Sequence, residues 1–169
     1  MRILGVDPGL AAVGWGFIVY PEGGPRDVQW GEIRTASDLP TARRLQKIYH
    51  DLEDVIRNLR PEAVSIEELF FATNVKTAII VAQARGAAIL ATAESGADVV
   101  EYTPLQIKKA VTGRGRAPKQ QIQRMVATLL GLKETPRPDH AADALAAALC
   151  HGHTLKARRL IQLSRGSRG

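Results

Sequence analysis

Arg2-Ile3-Leu4-Gly5-Val6-Asp7-Pro8-Gly9 is the stretch on which the fold is decided. A short apolar run that ends on a carboxylate and then on Pro-Gly reads as a buried strand, Arg2–Val6, closed by a turn. A carboxylate in that place stands on rigid backbone at the carboxyl edge of a sheet, where α/β folds hold their ligands. The competing reading is that Asp7 only organises the turn, as Asp does ahead of Pro-Gly. A second short run, Ala63-Val64-Ser65-Ile66, is followed by Glu67 and Glu68 in the same manner. If the two strands are neighbours, Asp7 and Glu67 converge, and alternation sends Glu68 to the opposite side.

Working outward, Val13–Tyr20 and Val28–Thr35 read as strands of a meander, joined by the Gly- and Pro-rich segment Pro21–Pro25. Leu45, Ile48, Leu52, Val55, Ile56 and Leu59 recur at helical spacing and predict a helix over Thr41–Leu59, which Pro61 ends. Asn74 is the expected N-cap of a further helix that runs to Ser95, with Gly96 as its stop. That helix is apolar almost all round, so it belongs in the core or against a second subunit. Val99–Tyr102 reads as a strand, and Pro104–Val111, Pro118–Leu130 and His140–His151 as helices. Gly113-Arg114-Gly115 is read as a flexible link, and after Gly152 the chain is expected to fray. The pattern is that of a mixed α/β sheet flanked by helices. It divides into one domain over residues 1–153 and a basic, flexible tail over 154–169.

The length of 169 residues suits one domain with a real core, and 45% hydrophobic with 24% charged residues excludes wholesale disorder. One cysteine, Cys150, excludes an intramolecular disulfide and a multi-cysteine zinc site. Asp7 interrupts the N-terminal apolar stretch, unlike a signal peptide. No apolar run approaches the ~18 residues that span a bilayer, so a cytoplasmic protein with no membrane partner is expected.

The net charge of +6 is unevenly spread. Residues 1–101 carry −4, residues 102–133 carry 7 basic and no acidic residues, residues 134–143 carry −2, and the remainder carries +5. An acidic body between basic segments fits a polyanion-binding protein with a carboxylate metal site. Charge alone fits a solvated helix face and a basic tail equally well.

Asp139-His140-Ala141-Ala142-Asp143 adds a third acidic element. His140 and Asp143 lie three apart, and Asp139 and Asp143 four apart, so either pair shares a helix face. Asp139 follows Pro138 and has an alternative role as an N-cap. His140 and Asp143 open an Ala- and Leu-rich helix, where a buried anion requires a compensating cation. Oxygen ligands with one imidazole suit Mg²⁺ or Mn²⁺, and two such ions about 3.5–4 Å apart serve phosphodiester hydrolysis. Other chemistry finds no support. The segment from Gly113 to Gln120 lacks the spacing and the Ser/Thr of a phosphate loop, and Gly5, Gly9, Gly14 and Gly16 do not fit a dinucleotide fingerprint. Cys150, His151 and His153 are read as incidental at a helix end.

Leu4-Gly5-Val6-Asp7-Pro8-Gly9, Ile66-Glu67-Glu68-Leu69-Phe70-Phe71 and Gln83-Ala84-Arg85-Gly86 resemble the RuvC family of Holliday-junction resolvases. Gln106-Ile107-Lys108-Lys109, Lys119-Gln120-Gln121-Ile122 and His140-Ala141-Ala142-Asp143-Ala144-Leu145 resemble it too, in order over nearly the whole chain. The resemblance implies an RNase H-like fold and a homodimeric, metal-dependent endonuclease with two Mg²⁺ or Mn²⁺ ions per active site. Such an enzyme nicks two opposing strands of a four-way DNA junction symmetrically and leaves 5′-phosphate and 3′-hydroxyl ends. It works with a branch-migration helicase complex.

The family's catalytic carboxylates fall on Asp7, Glu67 and Asp143, and the fourth position, usually Asp, is His140 here. Imidazole in place of carboxylate should favour Mn²⁺ over Mg²⁺. Asp139 stays open as a substitute carboxylate. Lys108 and Lys119 match the family's basic positions, Lys109, Arg114 and Arg116 are further expected DNA contacts, and Phe70 matches an aromatic that inserts among bases. A non-catalytic junction-binding module and an RNA-directed nuclease are the alternatives. An actin-like phosphotransferase needs a longer, two-lobed chain.

Overall fold

The computed structural model describes residues 1–69 and 75–166. Five strands form one sheet: β1 (Arg2–Asp7), β2 (Ala12–Val19), β3 (Arg26–Arg34), β4 (Ala63–Glu67) and β5 (Asp98–Tyr102). Their order is β3-β2-β1-β4-β5. The β1–β2 and β2–β3 pairs are antiparallel, as a meander requires, and β1–β4 and β4–β5 are parallel. The helices are α1 (Thr41–Leu59), α2 (Val75–Ser95), α3 (Pro104–Thr112), α4 (Lys119–Leu129) and α5 (Asp139–Gly166). The expected mixed α/β sheet is therefore present, with element ends displaced by a residue or two, except in α5.

Alternation along the strands builds two cores. Leu4, Val6, Val13, Phe17, Val64 and Ile66 join Ile48, Leu52 and Ile56 of α1 and Ala84, Ala88 and Ala91 of α2 on one face. Ile3 and Ile18 join Leu145, Leu149 and the alanines of α5 on the other, with Ile107 and Val111 of α3 and Ile122 and Val126 of α4. Gly5, Gly14, Gly16, Ser65 and the strand-end carboxylates Asp7 and Glu67 fall by the same alternation on the α5 face.

The α5 face is unusually close. Gly5 pairs with Gly16, and Asp7 with Gly14. A Cβ on Gly5 would overlap the Ala144 carbonyl oxygen and lie 2.9 Å from the Ala148 nitrogen. One on Gly14 would lie 2.8 Å from the His140 Cβ, and one on Gly16 2.6 Å from the Leu145 Cγ. The helix backbone thus rests on the strand backbone along a floor of glycines. Ser65 fastens it to β4, its hydroxyl donating to the Ala147 carbonyl at 2.8 Å.

Two expectations are corrected. The helix read as His140–His151 does not fray after Gly152 but runs on to Gly166. Gly152 is there for packing: a Cβ would press into the Tyr20 ring, and Arg159 beyond it pairs with Glu22. Second, α2 is long and apolar enough, by length and composition, to cross a bilayer, which no uninterrupted apolar run suggested. One face of it, with Ala84, Ala88, Ala91 and Thr92, is buried against the sheet and α1, and Arg85 within it is paired with Glu101 at 2.7 Å. Asn74, Phe70 and Phe71 lie outside the described residues.

Candidate active site

Asp7 and Glu67 are the next residues along β1 and β4 after the paired Val6 and Ile66, on adjacent parallel strands and on one face. The glycine floor then sets the first turns of α5 over them. His140 Nδ1 lies 2.7 Å from Asp7 Oδ2. One ligand atom from each of Asp7, His140 and Asp143 falls within 4.8 Å of the others, the one such group of metal-ligating side chains among the described residues. Cys150, His151 and His153 form none: Cys150 is buried, the His151 ring meets the Tyr102 hydroxyl at 2.8 Å, and His153 meets the Ala110 carbonyl at 2.9 Å.

The electrostatics are those of a cation site. Burial, and then the charges of Asp7 and Asp143, push the Glu67 carboxyl above the ordinary range, against the pull of Lys108. Burial likewise raises Asp143, and Asp7 adds to it, while a hydrogen bond from Lys119 works the other way. The contact with Asp7 holds the His140 imidazole above its usual pKa although partial burial opposes it. A bound cation would relieve the raised Glu67 and Asp143 carboxyls, and hard oxygen donors with one imidazole suit a divalent ion of the Mg²⁺ or Mn²⁺ type. With Nδ1 directed at Asp7, His140 keeps Nε2 for such an ion.

Lys119, at the start of α4, supplies a cation to the half-buried Asp143: its Nζ is 2.9 Å from Asp143 Oδ2 and 3.7 Å from Asp139 Oδ2. Partial burial lowers the Lys119 pKa, and the hydrogen bond and charges of Asp143, Asp139 and Asp7 more than reverse this. Asp139 also pairs with Arg137 at 2.8 Å and is not part of the Asp7–His140–Asp143 group. Lys108 is half-buried on α3, within electrostatic reach of Glu67. Lys109, Arg114 and Arg116 are exposed on α3 and on the link to α4. That link is held rather than loose, because the Thr112 hydroxyl donates to the Arg114 carbonyl at 2.8 Å. Both short helices pack on α5, which brings Lys119 onto Asp143 and Lys108 toward Glu67. Phe70 lies outside the described residues.

Sequence reading named the four centre residues but passed over what sets them together. In the sequence Gly5, Gly14 and Gly16 bear only on a dinucleotide fingerprint, which they do not fit. Their signal was small residues at alternate positions of two early strands, matched by an alanine-rich helix late in the chain. Ser65 and Arg137 were missed for lack of any local signature.

Comparison with known proteins agrees with this geometry. The sequence model of the family described as crossover junction endodeoxyribonuclease RuvC matches residues 3–151. The chain is 52% identical over 154 residues to the crossover junction endodeoxyribonuclease RuvC of Alkaliphilus oremlandii, covering 91% of this chain and 94% of that protein. It is similar to the structure of Thermus thermophilus RuvC in complex with Holliday junction substrate, with TM-score 0.87, 38% identity and coverage of 93% and 96%. The yeast mitochondrial Holliday junction resolvase Ydc2 shares the fold, with TM-score 0.70 at 12% identity and coverage of 97% and 85%. This is the RNase H-like architecture of such resolvases. With the family's model matched by residues 3–151 and a relative at 52% identity, the chain belongs to the RuvC family of crossover junction endodeoxyribonucleases.

Proposed function

We infer that this chain is a structure-selective endodeoxyribonuclease that resolves Holliday junctions by symmetric paired nicks, leaving 5′-phosphate and 3′-hydroxyl ends. The observation that carries this is the convergence of Asp7, His140 and Asp143 within 4.8 Å, beside Glu67, at the carboxyl edge of the sheet. Asp7, Glu67, His140 and Asp143 are the residues proposed to hold two Mg²⁺ or Mn²⁺ ions. Divalent ions bound there supply Lewis-acid activation of water and neutralise charge developing at the scissile phosphate. The chain's own part is to orient and to exclude. The Asp7 carboxylate orients the His140 ring, the glycine floor fixes both against one backbone, and Lys108 and Lys119 offset phosphate charge. Lys109, Arg114 and Arg116 extend the basic rim along the DNA backbone, and Phe70 is the proposed base-stacking residue. A four-way junction incubated with and without Mg²⁺ or Mn²⁺, beside linear duplex, tests the reading. Ion-dependent cutting of the junction with duplex spared supports it, and binding without cleavage would make the chain a junction-binding module instead.

His140 is proposed to set the choice of ion. Imidazole is a softer and neutral ligand where a carboxylate would add charge, so cleavage is expected to be faster in Mn²⁺. His140→Asp should shift the preference toward Mg²⁺, and equal or better wild-type activity in Mg²⁺ would count against this role.

Two opposing nicks in a two-fold junction need two centres in fixed relation, as in a C₂ homodimer. Val75, Ile79 and Leu90 are exposed at 69%, 52% and 53% and share one face of α2 with Gly86, opposite the buried Ala84, Ala88 and Ala91. An apolar stripe of this kind marks the proposed dimer surface. Ile79→Glu is expected to give a monomer in sedimentation and to uncouple the two nicks. A wild-type chain that stays monomeric while still nicking in pairs would sink the proposal. In this reading the enzyme works in the cytoplasm beside a branch-migration helicase complex.

A further inference from the structure

Asp139 and Asp143 stand one helical turn apart on α5, and the Lys119 ammonium lies between them, 2.9 Å from Asp143 Oδ2 and 3.7 Å from Asp139 Oδ2. Asp139 is itself anchored: its Oδ1 accepts from Arg137 Nη1 at 2.8 Å. It lies outside the group formed by Asp7, His140 and Asp143, so it is placed to serve the lysine and not an ion. Lys119 and a divalent cation claim the same Asp143 carboxylate, and two cations on one carboxylate repel. We propose that Asp139 is a positioning residue for this exchange: it is the second acceptor onto which the Lys119 ammonium passes when Asp143 engages a divalent ion. Lys119 then remains at the rim as a phosphate-facing cation, neither blocking the ion nor drifting into solvent. Arg137 holds the receiving carboxylate in place, and the short separation makes the transfer a side-chain rotation with no backbone movement. The inference rests on the reading of Asp143 as a metal ligand.

The test is Mn²⁺ binding to the full, DNA-free chain, followed by the electron paramagnetic resonance signal of free Mn²⁺ at constant ionic strength. Asp139→Asn should weaken binding about fivefold, the scale of a partly exposed ion pair, because Lys119 is then left on Asp143 alone. Lys119→Met should tighten binding by removing the competitor. In the Lys119→Met background Asp139→Asn should change the affinity less than about twofold, since their coupling is the quantity proposed. Asp139→Glu should restore wild-type affinity. An equal loss from Asp139→Asn in both backgrounds would overturn the proposal, since Asp139 would then act as a ligand or through bulk charge. No loss in the wild-type background would overturn it too. Asp143→Asn separates the two levels: if it binds Mn²⁺ as the wild type does, the metal-site reading has failed, and the positioning role falls with it.

Discussion

Asp7→Asn is expected to lower junction cleavage by about 10³-fold or more, the scale on which a member of a catalytic set acting as a unit is lost. Junction binding should survive. The substitution is nearly isosteric, β1 keeps its pairing with β2 and β4, and an amide oxygen still accepts from the His140 ring. What disappears is one negative charge at the meeting point of Glu67, His140 and Asp143. Two consequences follow with fixed signs. Glu67 and Asp143 lose a like-charged neighbour that raises both their carboxyls, and His140 loses the charge partner that raises its imidazole. Removing an anion from an edge that faces phosphates cannot weaken DNA association through charge, so affinity should be equal or higher. Single-turnover cleavage with saturating protein, beside a gel-shift titration without divalent ion, separates the two effects. Residual cleavage within tenfold of wild type would remove Asp7 from the centre.

Gly5→Ala should be the most damaging single methyl group in the chain. Its Cβ would overlap the Ala144 carbonyl oxygen and lie 2.8 Å from the Ala144 carbonyl carbon, and these are backbone atoms that cannot rotate aside. Overpacking of a tight core costs about 1–3 kcal/mol, and a backbone clash belongs at the upper end or beyond. For a chain of this size about 3 kcal/mol lowers Tm by roughly 6–12 °C. Activity should fall further than stability accounts for, because relief of the clash lifts α5 and carries His140 and Asp143 away from Asp7. Misplacement by about 1 Å is enough to cost some 10²-fold in rate. Gly23→Ala is the control, since a Cβ there meets nothing within 4 Å and the residue lies in the β2–β3 turn. Calorimetry and cleavage at a temperature where both variants are folded check this. A Gly5→Ala protein with unchanged Tm and rate would mean that the glycine floor does not set the site.

The same glycine shows where the sequence was readable and where it was not. Asp7 and Glu67 stood out because each ends a short apolar strand, a local pattern that needs no knowledge of the partner. His140 and Asp143 stood out because helical spacing is local too. That β1 and β4 are neighbours, and that α5 crosses the sheet at Gly5 and Gly14, depends on contacts distant in the chain, such as Ile3 with Ala63 and Gly5 with Ala144, which no window of sequence contains. Gly152 misled for a related reason. Within a helix a glycine reads as a stop, yet this one makes room for the Tyr20 ring, and α5 continues to Gly166. Charge was legible in bulk and ambiguous in detail. The acid-free run from Tyr102 to Lys133 is plain in the sequence, but that its Lys119 reaches both Asp139 and Asp143 is a matter of helix packing. Asp139 illustrates the limit best: sequence offers it as an N-cap or as a substitute ligand, and no local pattern foretells its contacts with Arg137 and Lys119.

The central claim is that one acidic centre per chain, built on the glycine floor, cuts a four-way junction at symmetric positions. The direct test labels each of the four strands of a synthetic junction in turn, maps every nick in Mn²⁺ and in Mg²⁺, and then adds DNA ligase to the products. The expected result is nicks in two opposing strands at matching positions, none without divalent ion, an intact linear duplex, and products that ligase seals. Tight junction binding with no ion-dependent nick, or nicks scattered equally over duplex and junction, would contradict it.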